Sequence, residues 1–371
     1  MRALVAMSGG VDSSVAAALM LEAGHEVVGV TLKQWEGPDG QMPEAGCCTL
    51  SDAEDARRVA AQLDIPYYVL DYVEEFTVAV VEPFARGYID GYTPNPCIEC
   101  NRNVRFHALL DRTAELGCDV LVTGHHARVE HRDGAYRLRK AVDPGKDQSY
   151  VLHMLDQSAL SRIVLPVGEM TKDAVRDIAA DLGLRTAAKP DSQDICFVTS
   201  GDYRDFLAGY VGSTSSARST AGSVAGPIVD THGDVVGTHS GTEAFTIGQR
   251  RGLGVSLGSA RYVVDIEPRE QRITIGRYED LLESSVEVSA MTFVGDPVAD
   301  GTSVTVKVRY RSEPVPATVH RVDEGGRWRI RFAQRHPRPA PGQAAVLYDG
   351  EYVLGGGTVE LPADRSVASI G

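Results

Sequence analysis

The sequence predicts an α/β fold, with a parallel-sheet domain first, a small β-rich part next and an all-β C-terminal part. Three observations predict it. Strand-length apolar runs alternate with helical patterns through the first part of the chain. A glycine turn, SGGVDSS, joins the first apolar run to the first helical pattern. Beyond about residue 280 polar and apolar residues alternate with a period of two.

Each element follows from its residues. RALVAM is a short apolar strand, and VAAALMLEAG reads as a helix ending at Gly24. HEVVGVTL is a second strand. Ser51 with Glu54 predicts a capping box, and Ala53, Ala56, Ala60 and Leu63 give the helix behind it an apolar stripe. YYVLDY is a strand. Phe106, Leu109, Leu110 and Ala114 predict a helix stopped near Gly117, and DVLVTG is the strand after it. Residues Arg128 to Arg139 alternate around Asp133-Gly134, a hairpin signal. Ala174, Ile178 and Leu182 mark one more helix. GSTSSARSTAGSVAG, starting at residue 212, reads as a linker or mobile loop. TSVTVKVRYR and RWRIRF alternate, and AAVLYDGEYVLGGG sets an Asp-Gly turn between two apolar runs. Charges on every second residue predict the solvated face of a small barrel or sandwich.

Composition narrows the function. A chain of 371 residues, 43% of them hydrophobic, supports two or three domains. It has no apolar run of the roughly 18 residues that a membrane helix needs. The start MRALVAMSGG is too short in its apolar part for a signal peptide. A soluble cytoplasmic protein is expected, in which six cysteines imply no disulfide framework. The net charge of −14 argues against a broadly sticky nucleic-acid binder. The charge is uneven, however. Lys307 to Arg338 holds nine Lys/Arg against three Asp/Glu, and Arg128 to Lys146 holds six against three. Such stretches are either solvated strand faces or a grip on one polyanion.

SGGVDSS carries the sharpest chemical signal. Its glycines let the backbone approach an anion, and the N–H groups of the helix start can cradle phosphate. The Gly-Lys-Ser/Thr ending of a Walker A loop is absent. In TPNPCIECN, Cys97 and Cys100 stand three apart behind two prolines, on what reads as a stiff loop. Such a pair serves as a metal clamp, a redox couple or a nucleophile with a neighbour. No second CxxC or His pair with zinc spacing accompanies it. Cys196, in KPDSQDICF, is a further thiol able to carry a persulfide. Cys47 and Cys48 are adjacent, which seldom suits a tetrahedral metal site, and Cys118 reads as structural.

SGGVDSS resembles the PP-loop of ATP pyrophosphatases, which adenylate a carbonyl oxygen and release pyrophosphate. The ordered set SGGVDSS, TPNPCIECN, TGHHA, KDQSYVL, DSQDICF, FTIGQRRGLG, RYRSEP and GQAAVLY…LGGG is similar to that of the tRNA-specific 2-thiouridylase (MnmA) family. The resemblance spans nearly the whole chain. It implies a PP-loop (adenine nucleotide alpha hydrolase-like) catalytic domain over 1–210, a central small domain over 211–279 and a tRNA-contacting β-barrel over 280–371. It also implies ATP-dependent 2-thiolation of the wobble uridine in tRNAs for Lys, Glu and Gln. The cofactors would be ATP and Mg2+, and a cysteine desulfurase or sulfur-relay protein would supply sulfur.

By position, the resemblance assigns ATP to Ala6, Met7, Ser8, Gly9, Gly10, Val11, Asp12 and Ser13, with Leu32 and Gly124. It assigns tRNA contacts to Asn95, Pro96, Cys97, His125, Lys146, Asp147, Gln148, Arg309, Tyr310 and Gln343. It makes Cys100 a catalytic thiol and Cys196 the persulfide carrier. One residue departs from the family pattern. Cys97 stands where Asp is usual, which leaves the acid/base role open and adds a third catalytic thiol. The three-cysteine form of the family implies a possible iron–sulfur cluster on Cys97, Cys100 and Cys196. Two other readings remain. One is a different PP-loop enzyme, thiolating another base or forming an amide. The other is a non-catalytic RNA-binding iron–sulfur protein.

Overall fold

The structure, a computed structural model, describes residues 1–36, 49–191, 195–198, 203–213, 224–323 and 325–361. The first part supplies β1 (Arg2–Ala6), β2 (Glu26–Lys33), β3 (Tyr67–Asp71), β4 (Val120–Thr123), the hairpin pair β5 (Ala127–Arg132) and β6 (Ala135–Lys140), and β7 (Ile163–Val164). Five of these form a parallel sheet in the order β3-β2-β1-β4-β7. Side chains of β1 alternate between two cores. Leu4 packs into one, and Ala3 and Val5 into the other. All three are fully buried, as a parallel sheet covered on both faces requires. The chain leaves β1 toward β2 and β3, then returns to the other side of β1 as β4. That reversal opens a crevice at the carboxyl ends of β1 and β4, where ligands bind in such sheets.

The second unit has β8 (Gly226–Asp230), β9 (Val235–His239), β10 (Tyr262–Glu267) and β11 (Arg272–Gly276) in the order β10-β11-β8-β9. The third has β12 (Leu282–Phe293), β13 (Thr302–Lys307), β14 (Val315–Arg321), β15 (Trp328–Pro337), β16 (Ala344–Asp349) and β17 (Tyr352–Val359). These run β12-β15-β14-β13-β16-β17, and β12 pairs back with β17, so the sheet closes into a six-stranded barrel. The barrel interior is Val288, Val304, Val306, Val319, Ile330 and their neighbours, the apolar half of the alternation.

The expected α/β architecture with a central β unit and a C-terminal barrel is the one observed. Several local expectations change. The hairpin at 127–140 forms, with Asp133 (φ 54°) and Gly134 (φ 77°) at its tip, but it does not stand alone. β6 pairs with the start of β17, Arg139 opposite Tyr352 and Leu138 opposite Val353. The hairpin thereby extends the barrel sheet to eight strands. The helix start expected at Ser51 lies at Thr49, which closes a capping box with Asp52. Glu54 instead pairs with Arg58 on the exposed surface. The turn after β16 is Gly350-Glu351, one residue later than the Asp-Gly reading, because Asp349 still pairs with Tyr352.

Two helices present faces other than those expected. The cysteine pair is helical. Asn95 caps a helix that starts at Pro96 and, from Cys100 to Ala108, widens into a π-helical stretch before continuing to Glu115. The wider turn shifts the phase, so Thr113 is buried where Ala114 was expected. In the helix Lys172–Asp181, capped by Thr171, the buried residues are Lys172, Val175 and Ala179. Leu182 is 42% exposed at its C-terminal end. Cys47, Cys48 and most of the serine-rich stretch after residue 212 lie outside the described residues.

Candidate functional site

The loop after β1 builds the first wall of the site. Gly10 begins the helix Val11–Glu22 and offers no side chain to cap it. The first helical N–H groups therefore face the crevice, with the positive end of the helix dipole. The loop is held from within. The Ser8 N–H donates to Ser13 Oγ at 3.1 Å. Ser13 and Ser14 hydroxyls donate to Gly10 O at 3.2 and 2.8 Å. Gly9 has φ +73°, and a Cβ there would lie 2.2 Å from Asp52 O. A Cβ on Gly124, after β4, would lie 2.6 Å from Ser13 N. Both glycines are thus required by close backbone approach.

The crevice is a cavity of about 620 Å³. Met7, Ser8, Gly10 to Ser13, Leu32 and Gly124 line it, and so do Lys146, Gln148 and Tyr310. Ala6, His125 and Asp147 complete the sequence-assigned lining; Gly9 packs behind it on Asp52. Residues assigned to ATP therefore share one space with His125, Lys146, Asp147, Gln148 and Tyr310 of the tRNA set, while Asn95, Pro96, Cys97, Arg309 and Gln343 are outside its lining.

Cysteine placement extends the same space. Gln34, on the cavity wall, donates from Nε2 to the buried Cys100 Sγ at 3.4 Å. Trp35 follows it and packs against Phe197 (6.2 Å between ring centres), the neighbour of Cys196. Phe197 also meets Phe76 and Phe84. Cys100 is buried in one core, and the partly buried Cys196 packs against that same core. Cys97 is exposed in the first turn of its helix, its N–H donating to Asn95 Oδ1 at 3.1 Å.

Several residues assigned to tRNA have internal partners. Asp147 accepts from the Ala141 and Ser149 N–H groups, and Gln148 Oε1 accepts from the His126 N–H. Lys146 pairs with Asp191 at 2.7 Å. Gln343 donates to Thr93 O at 2.5 Å, tying the barrel to the segment before Asn95. Arg309 is half-buried beside Gly248, and desolvation lowers its pKa. Tyr310 stays partly exposed. His125 is buried, with Nδ1 2.8 Å from Thr123 Oγ1. Burial, then the nearby Arg105 and His126, push its pKa down to about 3, so it is a neutral imidazole. Much of the basic surface at 128–139 is already paired: Arg128 and Arg139 both meet Glu351.

Sequence reasoning assigned no role to several charged or polar residues of the cavity, among them Lys172, His126, Lys189 and Lys307. Lys172 donates to both Asp12 oxygens at 2.7 Å, and His126 Nε2 lies 3.0 Å from Asp12 Oδ1. Burial raises the Asp12 pKa, but these partners outweigh it and hold the carboxyl below its usual range. Lys189 bonds Gly9 O, Asp52 and Asp55. Lys307 reaches in from the barrel and lies over the Tyr150 and Tyr310 rings at 5.9 and 5.7 Å. Burial lowers its pKa. A lone lysine in sequence reads as solvated; Lys307 was flagged only as part of a basic stretch, His126 only within TGHHA, and Lys172 not at all.

Comparison with known proteins matches each of the three units. A family model described as tRNA methyl transferase HUP domain matches residues 1–200. One described as tRNA methyl transferase PRC-barrel domain matches 217–277, and one described as Aminomethyltransferase beta-barrel domain matches 283–359. The tRNA-specific 2-thiouridylase MnmA of Chloroflexus aurantiacus is 47% identical over 361 residues, 97% of this chain and 98% of its own. That of Geobacter metallireducens is 45% identical over 365 residues, 97% and 96% of the two chains. A solved complex of a 4-thiouridine synthetase with RNA and ATP aligns over 57% of this chain and 50% of its own. At 16% identity and a TM-score of 0.36, that likeness is too slight to bear on function. Near-complete coverage at such identity places the whole chain, and not one unit of it, among the curated relatives: it belongs to the MnmA family of tRNA-specific 2-thiouridylases.

Proposed function

We propose that the chain transfers sulfur to C2 of the wobble uridine in tRNAs for Lys, Glu and Gln, at the expense of ATP. The observation that carries this reading is one cavity running from the anion-cradling helix start to Gln34 and its bond to Cys100. Two of the matching family descriptions name methyl transfer. The curated relatives, matched over nearly their full length, are named thiouridylases, and a thiol beside a nucleotide cavity suits sulfur chemistry.

The reaction divides into two displacements. Uridine O2 attacks the α-phosphorus of ATP, and pyrophosphate leaves; a Mg2+ ion brought with the nucleotide would offset the charge on that leaving group. The O2–adenylate makes AMP the leaving group in place of oxide. The outer sulfur of a Cys196 persulfide then attacks C2 and expels AMP. The Cys100 thiolate attacks Cys196 Sγ, breaking the S–S bond to the new thiocarbonyl and leaving a Cys100–Cys196 disulfide. A cysteine desulfurase or relay protein reloads Cys196, and a thiol reductant reopens the disulfide. Neutral His125 and the half-buried Lys307 and Tyr310 shape the part of the cavity open to the flipped base.

An iron–sulfur cluster does not fit this arrangement. Among the described residues no three His, Cys, Asp or Glu side chains gather as a metal-ligand set. Cys97 is exposed while Cys100 is buried. Sulfur transfer therefore runs through Cys196 and Cys100, with Cys97 outside the relay.

The test is an oxygen-free reaction with ATP, desulfurase, cysteine and unmodified tRNA, read by nucleoside mass spectrometry. Cys100→Ala and Cys196→Ala should abolish 2-thiouridine yet still release pyrophosphate when tRNA is added. Cys97→Ala should retain product. Methylated uridine in place of the thiolated base would sink the reading. Loss of activity in all three variants, with iron in the intact protein, would restore the cluster.

A further inference from the structure

Two lysines of the cavity have no part in the displacements described above. Lys172 is buried at the start of its helix, yet its ammonium meets two carboxylates, Asp12 at 2.7 Å and Asp191 at 2.8 Å. Lys189 sits at the other side of the loop and bonds Gly9 O at 3.0 Å and Asp52 and Asp55 at 2.7 Å each. Asp191 in turn receives three cations: Lys146 at 2.7 Å, Lys172, and Arg176 at 3.1 Å. A carboxylate ringed by three cations at a helix-start anion site occupies the electrostatic position that a phosphate oxygen would seek.

A triphosphate seated on the start of the helix Val11–Glu22 brings several negative charges to the same two ammonium groups. Lys172 cannot serve Asp12, Asp191 and a phosphate equally, since an ammonium has three donors and little room to turn when buried. Asp12 belongs to the loop itself, so Asp191 is the partner that yields.

We propose that Lys172 and Lys189 are ligands of the ATP phosphates, and that Asp191 competes with those phosphates for Lys172. Nucleotide binding thereby changes the hold on Asp191, which lies five positions before Cys196 in the sequence. The two lysines also stabilise the charge that gathers on the departing pyrophosphate. Occupancy of the phosphate site and the setting of the sulfur carrier are then coupled, and the coupling runs in both directions. This rests on the thiolation reading in taking ATP as the nucleotide and Cys196 as the sulfur carrier.

ATP affinity, measured by calorimetry on the full chain without tRNA, tests it. Lys172→Met and Lys189→Met should each weaken binding by about tenfold or more, the worth of one charge-assisted hydrogen bond. Asp191→Asn should tighten binding severalfold, because an amide competes poorly for an ammonium, while Asp191→Glu should bind as the parent does. Alkylation of Cys196, followed by mass spectrometry, is the second readout. Its rate should change with ATP in the parent chain and not in Asp191→Asn. Lysine variants of parental affinity, or a Cys196 rate indifferent to ATP in the parent, overturn the proposal. Should a methionine variant fail to fold, Lys172→Arg replaces it and must keep parental affinity. If ATP binds in this pattern while tRNA never gains 2-thiouridine, the functional reading falls and this one stands.

Discussion

Two histidines set how the molecule meets acid. His125 stands beside the phosphate loop, and His153 is buried with Nδ1 3.0 Å from Tyr150 O. Burial holds their pKa values down to about 3 and about 4. In the unfolded chain each takes a proton near pH 6.5. Below that pH the unfolded state binds more protons, so stability falls as pH drops from about 6.5 toward the folded values. The expected loss is about 4 kcal/mol between pH 7 and pH 5 for the pair, at about 1.4 kcal/mol per pH unit for each imidazole. Urea midpoints at the two pH values check it, and a His153→Gln variant should lose roughly half of the dependence. Asp191 adds nothing in that window. Burial raises its pKa, but its bonds to Lys146 and Lys172 win and hold it near 2.

At the scale of the element, the helix from Pro96 to Glu115 decides where two thiols stand. Its start depends on Asn95, whose Oδ1 accepts from the Cys97 and Ile98 N–H groups. Asn95→Ala should cost about 1 kcal/mol in chemical denaturation, the usual worth of a helix cap. It should also raise the alkylation rate of Cys97, which sits in the first turn, more than that of the buried Cys100. Equal changes at the two thiols would contradict that account. This element also marks how far the sequence could be read. TPNPCIECN announced a constrained thiol pair, because proline and cysteine carry local meaning. The π-helical turn from Cys100 was hidden, since the apolar residues there fit a 3.6-residue period nearly as well. SGGVDSS was legible for the opposite reason: Gly9 is dictated by a positive φ and a backbone contact with Asp52 that leave no room for a Cβ. Lys172 was not, because only the packed fold sets a helix-start lysine on Asp12.

For the whole molecule, the three units are not beads on a string. The hairpin β5–β6 belongs by sequence to the first unit and by hydrogen bonding to the barrel. Alternation foretold the hairpin and the barrel strands separately. Pairing between strands so far apart in the chain leaves no local period, so their union was invisible. Leu138, fully buried opposite Val353, sits at that seam. The parent chain should melt as one cooperative transition in calorimetry. Leu138→Asp buries a charge without a partner and should split the melt into two, with a loss of about 3 kcal/mol or more. Two transitions in the parent chain would show that the seam is weak.

The cavity wall itself joins parts of the chain some three hundred residues apart, with Met7 and Ser8 from the first unit and Lys307 and Tyr310 from the barrel unit. A ribosome releases the phosphate loop early and Tyr310 late. The nascent N-terminal unit can close its own sheet, yet it must wait for the barrel before it has a finished pocket. A chain cut short of the barrel would therefore carry the phosphate loop without the Lys307 and Tyr310 wall.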